Sequence, residues 1–221
     1  GRMSLASGDR EQALAYLAQA TQPGTQITVQ AQLEVANGYL MAGETDKALE
    51  VLRAMPDSSA VSYQRDSMLL LTLLRKGDEA QLVAQSQAIL ERSGKEPVSR
   101  NLVGSVYAAA GKMDLAREQF DEALRLAPAD EQSLINRAKL EIALDKPAAA
   151  EPYLKKVLAK DPKNLTATMA MAVVAGARKD KKSVETHLVK AKGDHPDSVE
   201  AQAALAQFYL AEKSTAKAKS V

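Results

Sequence analysis

The sequence has no cysteine and no tryptophan. The first absence excludes disulfides, zinc–thiolate sites and cysteine nucleophiles together, and it leaves the compartment open. Aromatic side chains are scarce, six Tyr and two Phe in 221 residues, so stacking platforms for single-stranded nucleic acid are not expected. An excess of either charge is also missing. Lys and Arg number 29 against 28 Asp and Glu, a formal net charge of +1, which argues against a surface built to neutralise phosphates. Nucleic acid is therefore not an expected partner. No stretch of about 18 apolar residues occurs, so no segment is suited to cross a bilayer as a helix. The opening residues, Gly1-Arg2-Met3-Ser4, do not form a secretory leader.

What is present is an ordinary share of apolar residues, 46%, with alanine and leucine abundant. The most regular stretch is Pro97–Asp130, PVSRNLVGSVYAAAGKMDLAREQFDEALRLAPAD. It holds Gly104, Tyr107, Gly111, Ala116, Phe120, Ala123 and Pro128 at offsets 8, 11, 15, 20, 24, 27 and 32 of a 34-residue unit. In kind and spacing these resemble the small, aromatic and proline positions of a tetratricopeptide (TPR) repeat, a helix–turn–helix module.

Stepping this ruler by 34 residues places earlier units at Val29 and Tyr63 and later ones at Glu131, Leu165 and Val199. Gly43, Gly77 and Gly111 recur at that interval, as do Pro128, Pro162 and Pro196. The fold class expected is all-α, a TPR solenoid: a right-handed superhelix of antiparallel helix pairs, with five full units plus a partial unit at each end. The units are 29–62, 63–96, 97–130, 131–164 and 165–198, flanked by 1–28 and 199–221 in a single array. A chain that begins and ends inside units is expected to be part of a longer array, whose cut ends would expose apolar surface suited to self-association.

Several local expectations follow. The partial unit 1–28 places Gly8, Ala13, Leu17 and Ala20 in register, with a one-residue insertion near Pro23-Gly24. The second helix of unit 29–62 should stop early at Met55-Pro56. The apolar run Met68–Leu74 should be a helix buried on more than one side, because its periodic neighbours are helical. In unit 63–96, Leu82, Ser86 and Ile89 stand where alanine, an aromatic and alanine are expected. Asp145-Lys146-Pro147 replaces the glycine turn, and Pro152, five residues further on, should bring a bend or a late helix start.

Chemistry-bearing residues are few. His187 and His195 lie eight apart with no further ligands at metal-site spacing, so no metal or other cofactor is expected. Gly104…Gly111-Lys112 has a six-residue gap and Met113 in place of Ser/Thr, so it is not a phosphate loop. No serine elbow or paired carboxylates stand out, so no enzymatic activity is expected. The basic turn Arg178, Lys179, Lys181, Lys182 is interrupted by Asp180, as solvated turns are, though it could touch an anionic partner.

Repeat arrays of this kind bind extended peptides or helices along the face formed by their first helices. Offsets 2, 5, 9 and 12 give Gln30, Leu33, Asn37 and Leu40, then Gln64, Ser67, Leu71 and Leu74. The later units give Asn101 and Ser105, then Gln132, Ile135, Lys139 and Ile142, then Met169 and Val173. The mixture is apolar with amides and little charge, suited to a protein or peptide partner; alternatively, a tight superhelix buries some of these residues against one another. A chaperone-tail carboxylate clamp would resemble this array only at Asn136, since Asn101, Ser105, Thr166 and Ala170 stand where its other lysine, arginine and asparagine groups would be.

The segments FDEALRLAPADEQSLINRAKLEIALDKPAAAEPYLKKVLAKDPKNLTATMAMA (120–172) and HPDSVEAQAALAQFYLA (195–211) resemble the PrsT-type TPR-repeat lipoproteins of bacterial PEP-CTERM/exosortase systems. That resemblance implies a periplasmic or outer-membrane-associated scaffold of a Gram-negative envelope, linked to protein sorting and exopolysaccharide production. A cytoplasmic location is the alternative. So is a role as the structural or regulatory arm of a larger protein whose catalytic or membrane domain lies outside these residues.

Overall fold

The 34-residue ruler is written into the backbone. The computed structural model describes residues 10–20, 28–56 and 62–221. Among them, left-handed φ angles fall at Gly43 (78°), Gly77 (72°), Gly111 (75°), Asp145 (57°), Lys179 (58°) and Lys213 (57°), each 34 residues from the next. Glycine adopts this conformation without a Cβ penalty, whereas the last three positions hold it with side chains. At each, the following amide closes back on the preceding helix, as in Lys112 N–H to Tyr107 O (2.8 Å), Lys146 to Glu141 (2.8 Å), Asp180 to Ala175 (3.0 Å) and Ser214 to Tyr209 (2.8 Å). This six-to-one closure satisfies carbonyls that the helix end leaves open.

The helices alternate as first and second members of each pair. They are α1 (Arg10–Ala20), α2 (Val29–Met41), α3 (Thr45–Ala54), α4 (Ser62–Lys76), α5 (Glu79–Ser93), α6 (Pro97–Ala109), α7 (Met113–Leu126), α8 (Glu131–Ala143), α9 (Pro147–Lys160), α10 (Leu165–Ala177), α11 (Lys181–Asp194), α12 (Val199–Ala211) and α13 (Thr215–Lys219). First helices start at a periodic cap: Thr28, Asp130, Asn164 and Ser198 each accept a hydrogen bond from the amide three residues on. Such caps hold a helix start by about 1 kcal/mol. In the third full unit the cap is Glu96, with no side-chain bond, and Pro97 takes the first helical position.

Helix α3 ends at Ala54, and Met55 turns extended (ψ 137°) before Pro56, as the early stop requires. The run Met68–Leu74 lies in α4, with Leu69, Leu70, Thr72 and Leu73 buried and Leu71 about half exposed. At Pro152 the late start expected does not occur. Helix α9 begins at Pro147 and runs through Pro152 to Lys160. The missing N–H removes one donor, the one that would meet the Ala148 carbonyl, and the helix continues on both sides of it. Gly8 and the insertion near Pro23-Gly24 lie outside the described residues.

Two compact bodies are present, Gly1–Gly94 and Lys95–Val221. In the first, Leu17, Val35, Tyr39 and Ala48 form one cluster across α1, α2 and α3. Gly38 lets α1 approach, since a Cβ there would stand 2.8 Å from Leu17 Cδ2. In the second, Leu134, Ile135 and Ala138 of α8, Ala150, Leu154 and Val157 of α9, and Ala167, Ala170 and Val174 of α10 form one core. Burying each of the larger side chains contributes about 1.5–3 kcal/mol. Further along, Ala172, Leu188, Leu205 and Tyr209 join α10, α11 and α12. Small residues where helices cross and large ones between pairs are the packing rule of the repeat.

Candidate functional site

Within the second body, α6, α8 and α10 pack side by side as neighbouring first helices. Equivalent offsets therefore line up across them. Offset nine gives an exposed row, Ser105, Lys139 and Val173, the last 51% exposed. Gln132 is exposed beside this row, and Ile142 and Met169 are half-buried. Lys139 shows no hydrogen bond or ion pair among the described residues.

Offset five behaves differently. Asn101 and Ile135 are buried, 6% and 7% exposed, as is Leu33 in the first body at 5%. Ile135 belongs to the core of α8, α9 and α10. Asn101 spends its amide inside the fold: it donates to Ser133 Oγ (2.8 Å) and Asp130 Oδ2 (3.3 Å), and its carbonyl accepts from Asn136 (3.2 Å). Asn136 in turn accepts from Gln132 (2.8 Å). These amides tie α6 to α8, so of the predicted wall Leu33, Asn101 and Ile135 support it and do not present a surface to a partner. Asn101 is turned to α8 by these bonds and Ile135 into the core of α8, α9 and α10, whereas the offset-nine side chains of the same helices are exposed; Met169, also at offset five, is half-buried. In the first body, Asn37, Leu40 and Ser67 are half-buried and Leu71 is exposed. Ser67 Oγ is enclosed with no hydrogen-bond partner among the described residues.

The other candidates have internal roles. Gly104 packs against the Phe120 ring and Gly111 is a turn residue. The basic turn is largely consumed: Arg178 bonds Glu151, Lys181 bonds Glu212 (2.9 Å), and Asp180 caps α11 through Ser183. His195 Nε2 lies 2.5 Å from the Lys163 carbonyl of the preceding loop. Burial in α11 holds the His187 pKa below the ordinary imidazole value, with Asp180 opposing and Lys190 adding. Among the described residues no group of three or more His, Asp or Glu side chains could hold a metal. No helix among them is long and apolar enough to cross a membrane.

Two buried ionic groups were not legible in the sequence. In the second body Arg137 bonds Asp121 (2.6 Å) and Glu141, with Arg117 3.8 Å from the same Glu141 carboxylate and the guanidinium 5.3 Å from the Tyr153 ring. In the first, Asp66 is held by Arg65 (3.1 Å) and Arg92, and Arg65 also bonds the Met55 carbonyl (3.2 Å). The i,i+4 spacing of Arg137 and Glu141 was the one available signal, and it reads as a solvated helix pair until α7 and α9 cover it. Both groups lie off the exposed row and are fully paired, as buried charges must be.

Models of the tetratricopeptide repeat match the chain over residues 74–131 and 141–207. No curated protein matches it. Among solved structures, a TPR protein of Parabacteroides merdae is similar over 87% of this chain and 76% of its own, at 19% identity and TM-score 0.65. A thermophilic TPR protein of Thermus thermophilus is similar over 83% of this chain and all of its own, at 17% identity and TM-score 0.62. The pilF protein of Pseudomonas aeruginosa is similar over 96% of this chain and 89% of its own, at 15% identity and TM-score 0.62. At these identities the likeness is one of fold. Six left-handed turns at 34-residue intervals, capped helix pairs and two matching repeat models together make this chain a tetratricopeptide repeat protein.

Proposed function

We propose that this chain is a non-enzymatic protein-interaction scaffold that binds a peptide or helix of its partner along α6, α8 and α10. TPR proteins generally mediate protein–protein contacts. The observation that carries the reading is the exposed row Ser105, Lys139 and Val173, beside Asn101 and Ile135 at offset five, which are buried. A face that is rigid beneath and uncommitted above suits recognition, because little ordering remains to be done on binding. The resemblance of 120–172 and 195–211 to exosortase-system lipoproteins supports placing the partner in the envelope of a Gram-negative bacterium, within protein sorting or exopolysaccharide assembly.

The test is photo-crosslinking in the native host, from a crosslinking amino acid placed at Ser105 or Val173 of the full-length protein. Adducts with one envelope protein are expected, lost when Val173→Glu is added to the Ser105 probe. Adduct patterns unchanged by Val173→Glu would sink the groove assignment, and adducts with cytoplasmic proteins alone would sink the envelope assignment.

A further inference from the structure

Among the twelve residues at offsets 2, 5, 9 and 12 of α6, α8 and α10, one is charged. They are Val98, Asn101, Ser105 and Ala108; Gln132, Ile135, Lys139 and Ile142; and Thr166, Met169, Val173 and Gly176. Lys139 is exposed and has no bonding partner among the described residues. Several other cations of the second body are paired in place, Arg125 with Glu122 (2.7 Å), Lys155 with Glu151 (2.9 Å) and Lys217 with Glu185 (2.9 Å), so what sets Lys139 apart is its position as the one charge among these twelve residues. On this face no carboxylate stands at any of the four offsets, and by register the positions adjoining Lys139 are Ile142 on its own helix, Ser105 on the preceding first helix, and Met169 and Val173 on the next.

We infer that this groove takes an extended segment carrying an internal aspartate or glutamate side chain, which pairs with Lys139, and an apolar residue three positions away, which covers Val173. The inference rests on the groove reading above and adds the chemistry of the ligand. A carboxylate brought to Lys139 arrives among apolar side chains, where water is partly excluded and the pair is stronger than on an open surface. The spacing follows from geometry: neighbouring packed helices lie about 8–10 Å apart, and three residues of an extended polyproline-type segment span about 9 Å with both side chains on one side. An internal acidic side chain fits better than a chain-terminal carboxylate. Holding a terminus takes several converging donors, and the amides of Asn101 and Asn136 are already bonded to each other.

A library of random decapeptides displayed with their C-termini fused, panned on the whole chain, tests this. Enriched sequences should share an Asp or Glu with an apolar residue three positions away. An amidated synthetic copy should bind Lys139→Ala about three- to tenfold more weakly, as loss of a partly shielded ion pair implies. Panning on Lys139→Glu should replace the acid by Lys or Arg. Enrichment without an acid, or an acid preference that survives Lys139→Glu, overturns the inference; the groove reading then stands if Val173→Glu still abolishes binding. Binding indifferent to Val173→Glu, or no enrichment at all, overturns both. A free-carboxyl peptide with its acid changed to the amide that binds as tightly as the parent also overturns the inference.

Discussion

Replacing Gly104 with alanine adds one methyl group, and its position is fixed by α6. That Cβ would lie 2.6 Å from Phe120 Cε1, 2.8 Å from Cδ1 and 3.1 Å from Cζ. Comfortable carbon contacts are about 3.5–4.0 Å, so the ring edge would have to retreat by roughly 1 Å. Phe120 is 2% exposed, so its ring can retreat only into the packed interior. Helix propensity acts the other way: alanine in mid-helix is worth up to about 1 kcal/mol over glycine. Overpacking a closed core costs about 1–3 kcal/mol, so the clash should win by about 1 kcal/mol. The assay is urea unfolding followed by far-UV circular dichroism, with Gly193→Ala as control. Gly193 is in α11 with nothing within 4 Å of its added Cβ, so the control should gain a few tenths of a kcal/mol. With a slope of about 1–3 kcal/mol per molar urea, the Gly104→Ala midpoint should drop by roughly 0.5 M. A second arm adds Phe120→Leu, which removes the ring and should shrink the penalty of the added methyl group. A Gly104→Ala midpoint at or above wild type would refute the packing account.

Two further outcomes follow from the same structure. At the periodic turn, Gly111→Ala should lower stability, and with it the melting temperature, by the cost of a left-handed alanine, about 1 kcal/mol, while Lys179→Gly should raise stability by about half of that; thermal melts with the two changes moving together would contradict the turn assignment. At His187, burial depresses the folded pKa, so the unfolded chain takes up its proton first as pH falls. Stability should therefore decline as pH drops through the ordinary imidazole range near about 6.5, and His187→Gln should remove that part of the decline; identical urea midpoint-versus-pH curves for the two proteins would argue against it.

The repeat was legible because it is a matter of local sterics. A glycine or a tolerated side chain at offset 15, a small residue where helices cross and a proline before the next cap are demands that each unit meets within its own residues. Of the bend or late start expected at Pro152, the late start does not occur. A proline inside a helix looks costly locally, yet packing of α9 against α8 and α10 keeps the helix whole through the loss of one donor. Asn101 was expected to line the groove, but its amide is committed to Ser133, Asp130 and Asn136, contacts about one repeat away in the chain.

The amino-acid sequence by itself determined the helical pairs, their 34-residue period, their turns and the poverty of chemistry-bearing groups, since all of these depend on side-chain type at fixed spacing along the backbone. Only the tertiary structure decided which wall residues are spent on the fold and which remain open. Leu33, Asn101 and Ile135 and the ionic groups around Asp66 and Arg137 are buried because neighbouring helices close over them. Exposure is a property of what the next repeat covers, and that is settled by packing between units, so Ser105, Lys139 and Val173 emerge as a surface only once α6, α8 and α10 lie side by side.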